Sequence, residues 1–96
     1  MGGLEADLSM ALSRLRRYPD DDTDLEIPYL RMGPLARRQL RRILADAKAA
    51  GVDVIHAEQR GWLTSVFSVR VMGEARQVEG TVLRLLWLTR SAGLDD

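Results

Sequence analysis

Apolar residues recur at helical spacing through the first part of the chain. Leu4, Leu8, Ala11, Leu12 and Leu15 fall on one stripe with a period of 3.6. Arg14, Arg16 and Arg17 crowd the end of that run, where cations suit the helix dipole. Tyr18-Pro19 closes it, because proline disfavours helix in the residue before it. The pattern predicts an amphipathic helix over residues 4–17, within an N-terminal segment 1–18. Residues 19–33 then read as an acidic loop, polar through residue 24, followed by a candidate edge strand over 25–32. Leu25, Ile27 and Tyr29 alternate with the strand period of two, and Pro28 restricts such a strand to a sheet edge or an extended loop.

Gly33-Pro34 is the next break, and Pro34 suits the first position of a helix, where its missing N–H costs nothing. That helix runs to about Ala50. Ala36, Leu40, Ile43, Leu44 and Ala47 form its apolar stripe, and Gly51 is a natural C-terminal cap. Val52 to Glu58 is a short run rich in β-branched residues. Arg60-Gly61 marks a turn. Trp62 to Met72 reads as a longer strand with Leu63, Phe67, Val69 and Val71 on one face. Trp62, Thr64, Val66, Ser68, Arg70 and Met72 fall on the other. After Gly73, the segment from Glu74 to about Arg90 has the last helical pattern. Ala75, Val78, Val82, Leu85, Leu86 and Thr89 make its core face, with Glu74 and Glu79 early and Arg84 and Arg90 late. Residues 91–96 form an acidic tail, expected to fray.

The order of elements predicts an α+β class and one domain over residues 1–96. An N-terminal helix precedes a (β)-α-β-β-α unit with its α-β-β-α core over 34–90. This is a truncated ferredoxin-like or KH-like antiparallel sheet packed on helices. Small regulatory domains, ring-building modules and phage tail-terminator domains share such a pattern. No motif here chooses among them, and fold does not fix function.

Composition narrows the class. At 96 residues the chain supports one core, and 46% hydrophobic with 29% charged residues is a globular balance. There is no cysteine, which in so small a domain favours a reducing, cytoplasmic compartment. The acidic start lacks the basic region and apolar run of a signal peptide. The longest apolar stretch, Val82 to Leu88, is short and broken by Arg84, so no membrane association is expected.

The formal net charge is zero, but the charges are segregated. Asp20, Asp21, Asp22, Asp24 and Glu26 follow one another without a base. Arg31, Arg37, Arg38, Arg41, Arg42 and Lys48 face a single acid, Asp46. The basic run is a candidate face for phosphates or for an acidic protein, because each guanidinium offers a planar fork of donors. The plain alternative is a solvated helix surface partly paired with the acidic loop.

Chemistry is sparse. Asp20, Asp22 and Asp24 begin like a calcium loop, but Leu25 stands where glycine is needed and Arg31 where glutamate is needed, so no metal site is expected. His56 is the only histidine and has no cysteine to join it in a zinc site or catalytic pair. No glycine-rich phosphate loop, Gly-x-Ser-x-Gly elbow or pair of apolar-set carboxylates occurs. The expectation is therefore a non-enzymatic module without cofactors.

What remains is surplus apolar surface. Gly80, Leu83 and Trp87 lie 120–150° (roughly) around the last helix from its core stripe, and Leu88 lies on a third side. Trp62, Val66 and Met72 need a cover on the outer face of the hairpin. The N-terminal helix, a second copy of the chain or another protein are the candidate covers. Trp62, Val66, Met72, Leu83, Trp87 and Leu88 are thus candidate interface residues for a protein-interaction or homo-oligomeric assembly module. Phage and mobile-element accessory proteins, including inhibitors, are often chains of this type. The competing expectation is a nucleic-acid-binding accessory protein using the Arg-rich helix over 34–50.

Overall fold

A computed structural model of the chain describes residues 3–33, 36–62 and 64–91. Pro34, Leu63, the side chains of Leu4 and Arg90, and the tail 92–96 lie outside what is described, and so do the roles assigned to them above. Three helices and three strands follow in the order α1 (Gly3–Arg17), β1 (Asp22–Met32), α2 (Arg37–Ala49), β2 (Asp53–Arg60), β3 (Ser65–Glu74) and α3 (Ala75–Ser91). The class is α+β, with an open antiparallel sheet packed on helices. The sheet order is β1-β3-β2, so α2 crosses from one edge strand to the other and β3 slots between them. This is the split β-α-β arrangement of ferredoxin-like folds.

Residues 25–32 are a strand, and the strand begins earlier than expected, at Asp22. The acids Asp22, Asp24 and Glu26 alternate on its outward face. A strand tolerates this polar alternation because, among the described residues, no helix covers that side of the sheet. The register with β3 pairs Leu25 with Val71 and Ile27 with Val69, then slips, so that Leu30 pairs with Phe67. Pro28 and Tyr29 sit in this bulge, as expected of a proline in an edge strand. The extra residue reverses the alternation. Tyr29, which continues the inward series of Leu25 and Ile27 in sequence, turns out to solvent, and Leu30 and Met32 turn in.

The strand expected over Trp62 to Met72 is β3, which starts at Ser65, is central in the sheet, and sends Phe67, Val69 and Val71 into the core. The two edges are β1 and β2. On β2 only Val54 is even half-buried, and its polar residues His56, Glu58, Gln59 and Arg60 suit an exposed edge.

All three helices pack on the same face of the sheet. The helix α3 lies centrally over β1 and β3, flanked by α1 on the β1 side and α2 on the β2 side. Leu8 and Leu15 of α1, Leu40, Ile43 and Ala47 of α2, and Val78, Val82, Leu85 and Leu88 of α3 close the core over Ile27, Leu30, Phe67, Val69 and Val71.

Two junctions hold this layer in place. Gly51, in the left-handed region at φ 84°, ends α2: its N–H donates to Lys48, and that of Val52 donates to Ala47. This is a Schellman cap, and Ala47 and Val52, joined by that bond, are both buried. At the other junction β3 runs directly into α3. Glu74 is therefore the last strand residue and not a first-turn acid of the helix. The first N–H groups of α3 are satisfied by the turn after α1: Ala75 donates to the Asp21 carbonyl at 2.8 Å and Arg76 to that of Pro19 at 3.0 Å.

Candidate functional site

The α2 and α3 helices run antiparallel, as their cross-contacts show. Arg84 of α3 donates to Asp46, late in α2, at 2.9 Å, while Trp87 lies in the groove that Gln39, early in α2, also lines. Between the two helices, on the side away from the sheet, Gln39, Arg42, Ile43, Leu83, Arg84, Trp87 and Leu88 line a groove of about 500 Å³. Ile43 and Leu88 are buried and make its apolar base. Leu83 is 40% and Trp87 63% exposed.

Leu88 is thus a core residue, fully buried, and not part of the exposed surface. The third side of α3 on which it lies faces α2. The surface of α1 that packs on α3 meets a different flank. Glu79 pairs there with Arg16, and half-buried Leu12 and Leu86 pack against the core. Leu83 and Trp87 are exposed on the outward side of α3, between the flanks that α1 and α2 occupy.

The other candidate apolar residues are elsewhere. Trp62 is not on the sheet face. It stands in the β2–β3 turn, 96% exposed, where Gly61 N–H donates to the Thr64 carbonyl. Val66 and Met72 do lie on the outer sheet face and are half-buried, among Asp24, Glu26, Arg31, Ser68 and Arg70. Arg70 makes a forked contact to the Asp24 carboxylate, at 2.9 and 3.1 Å from its Nε. The guanidinium holds the Asp24 carboxyl below its ordinary range, and the carboxylate raises Arg70 in turn. Val66 and Met72 thus share this face with charged pairs and with the exposed Ile55 of β2, which lies opposite Arg70.

The basic run is divided by the fold. Arg31 is on the outer sheet face, donating to the Tyr29 hydroxyl at 3.1 Å, away from α2. Arg37 leans toward β2, where it forks onto Glu58, with Nη1 to Oε1 at 3.1 Å. The Ser65 hydroxyl also donates to Glu58, at 2.7 Å. The hydrogen bonds from Arg37 and Ser65 hold the Glu58 carboxyl below the usual glutamate range. Arg38, Arg41, Arg42 and Lys48 are exposed and form no ion pair among the described residues. Among the described residues the acidic segment forms no ion pair with the α2 arginines. Asp20 pairs with Arg76 and Asp24 with Arg70. His56 packs its ring 6.2 Å from that of Phe67.

Sequence reasoning alone finds Leu83 and Trp87 by their angle on α3 and Arg42 by its charge. It does not bring them together, and it misses Gln39, Ile43 and Arg84 as their neighbours. The signals for Arg84 were its interruption of the apolar run and its late place on the last helix. No helix among the described residues is long and apolar enough to cross a membrane. The chain matches no family model, no curated protein and no solved structure.

Proposed function

We propose that this chain is a non-enzymatic protein-interaction module that docks a partner on the α2–α3 groove, with Trp87 and Leu83 as anchors. The observation that carries this reading is the exposure of those two large apolar side chains on the outward side of a helix that is flanked by α1 and α2 and packed on the sheet. Tryptophan combines a large apolar area with a polar edge, and buried interface tryptophans are among the residues that contribute most to binding. Truncating such an anchor costs about 2 kcal/mol or more of binding free energy. The cysteine-free composition suits work in a reducing compartment.

The nucleic-acid alternative loses two of its arginines: Arg31 points away from α2, and Arg37 is occupied by Glu58. What supports it is the remaining set Arg38, Arg41, Arg42 and Lys48, whose phosphate contacts would weaken steeply with salt.

A photo-reactive amino acid placed at position 87, and as a control at exposed Arg14 on α1, tests the docking reading in the native host. The expected result is a discrete protein adduct from position 87 that position 14 does not give. Adducts to nucleic acid only, or identical adducts from both positions, would sink it.

A further inference from the structure

We infer that the α2–α3 groove receives an acidic amphipathic helix from a different protein, an inference that rests on the docking reading above. Three observations select this occupant.

The first is charge. Arg42 lines the groove and Arg38 lies one turn earlier on the outward side of α2. Both are without an ion pair among the described residues. Arg84 stands on the facing wall, and Asp46, the acid of α2, is already bound to it. A ligand with carboxylates flanking its apolar residues supplies the missing counter-charges. Complementary potentials across an interface steer association and exclude wrong partners.

The second is Gly80. It sits mid-helix in α3 on the same face as Arg84 and Trp87, exposed, and a Cβ added there would meet nothing within 4 Å. A mid-helix glycine costs about 1 kcal/mol relative to alanine, and the packing of this chain does not ask for it. Beside Leu83 and Trp87 it leaves a flat place where a partner backbone approaches closely. Two antiparallel helices with such a trough between them suit a third helix laid along it, reading anchors at i, i+3 or i+4, and i+7.

The third observation disfavours a second copy of this chain. Face-to-face pairing of two such grooves would crowd Arg38 and Arg42 of both copies into one interface with no acid among the described residues of the groove free to offset them, since Asp46 is bound to Arg84. The chain's own acidic segment is no substitute, because it is extended in β1 and its Asp20 and Asp24 are held by Arg76 and Arg70.

The test is selection of a displayed library of randomised 18-residue helical peptides on the full chain, with surface variants verified as folded by circular dichroism. The selected peptides are expected to be acidic and amphipathic, and Trp87→Ala should abolish their binding. Arg38→Glu with Arg42→Glu should weaken them about tenfold, as two reversed surface pairs warrant. A selection on that double variant should return basic peptides. Basic or uncharged winners on the parent chain would overturn the inference. So would winners indifferent to Trp87→Ala, or Trp87-dependent retention of a poly-uridine oligonucleotide with no peptide winners. If position 87 cross-links a protein but the winners are not acidic, this inference falls and the docking reading stands. If no such cross-link forms, both fall.

Discussion

Gly80 and Glu58 show how single side chains separate folding from use. At Gly80 no neighbour opposes a methyl group, and alanine restricts the unfolded chain more than glycine does. Gly80→Ala is therefore expected to raise unfolding free energy by about 0.5–1 kcal/mol, read from denaturant midpoints, while weakening whatever docks beside Trp87. A loss of stability would show that the helix is packed there after all. Glu58 carries the opposite kind of information. Its carboxyl is held low by Arg37 and Ser65, so its contribution is present above the ordinary glutamate pKa, about 4.3, and fades as pH falls through the depressed value. Glu58→Gln should lower the unfolding midpoint at pH 7 and leave it equal to the parent near pH 2. An unchanged midpoint at pH 7 would mean the contact is idle, as many exposed ion pairs are.

The bulge in β1 is the decision made at the level of the element. By alternation Tyr29 belongs with Leu25 and Ile27, and Leu30 belongs outside. The slip of register at Pro28 exchanges them. Leu30→Ala should then cost about 2–5 kcal/mol, as buried leucines do, and Tyr29→Ala under about 1 kcal/mol. Reversed magnitudes in thermal or denaturant unfolding would put the strand in uninterrupted register. The same slip lets an 11-residue strand keep its hydrophobic side on the helices although a proline interrupts its hydrogen bonding. The helices needed less. The stripes Leu8, Ala11, Leu12, Leu15 and Leu40, Ile43, Ala47 are periodic in sequence and buried, wholly or in part, in the fold.

Across the whole molecule, the helices and the sheet expose different chemistry. The outer sheet face sets Val66, Met72 and exposed Ile55 among the charges of Arg70, Asp24 and Glu26, whereas the helix layer presents an apolar groove beside Arg38 and Arg42, which form no ion pair among the described residues. If the groove repels its own copy, as its charge implies, the chain alone sediments at 10.8 kDa through the micromolar range in moderate salt. A stable dimer that Leu83→Glu dissolves would instead make the groove self-complementary and favour assembly over capture of a different protein.

The α+β class, the three helices and the strand run ending near Met72 were legible in the chain itself, because periodicity and the signals at Pro19 and Gly51 are local, whereas the central place of that strand and its continuation through Gly73 to Glu74 were set by pairing with β1 and β2. Leu83 and Trp87 were legible too, as apolar positions off the core stripe of one helix. Partner strands, ion pairs and neighbours across helices depend on residues far apart in sequence. For that reason only the tertiary structure buried Leu88, lifted Trp62 into a turn and moved Arg31 to the opposite face. It also gave Asp24 and Asp20 to Arg70 and Arg76 in place of the α2 arginines. The groove exists only because the crossover of α2 sets Arg42 and Ile43 beside a helix that begins more than thirty residues later in the chain.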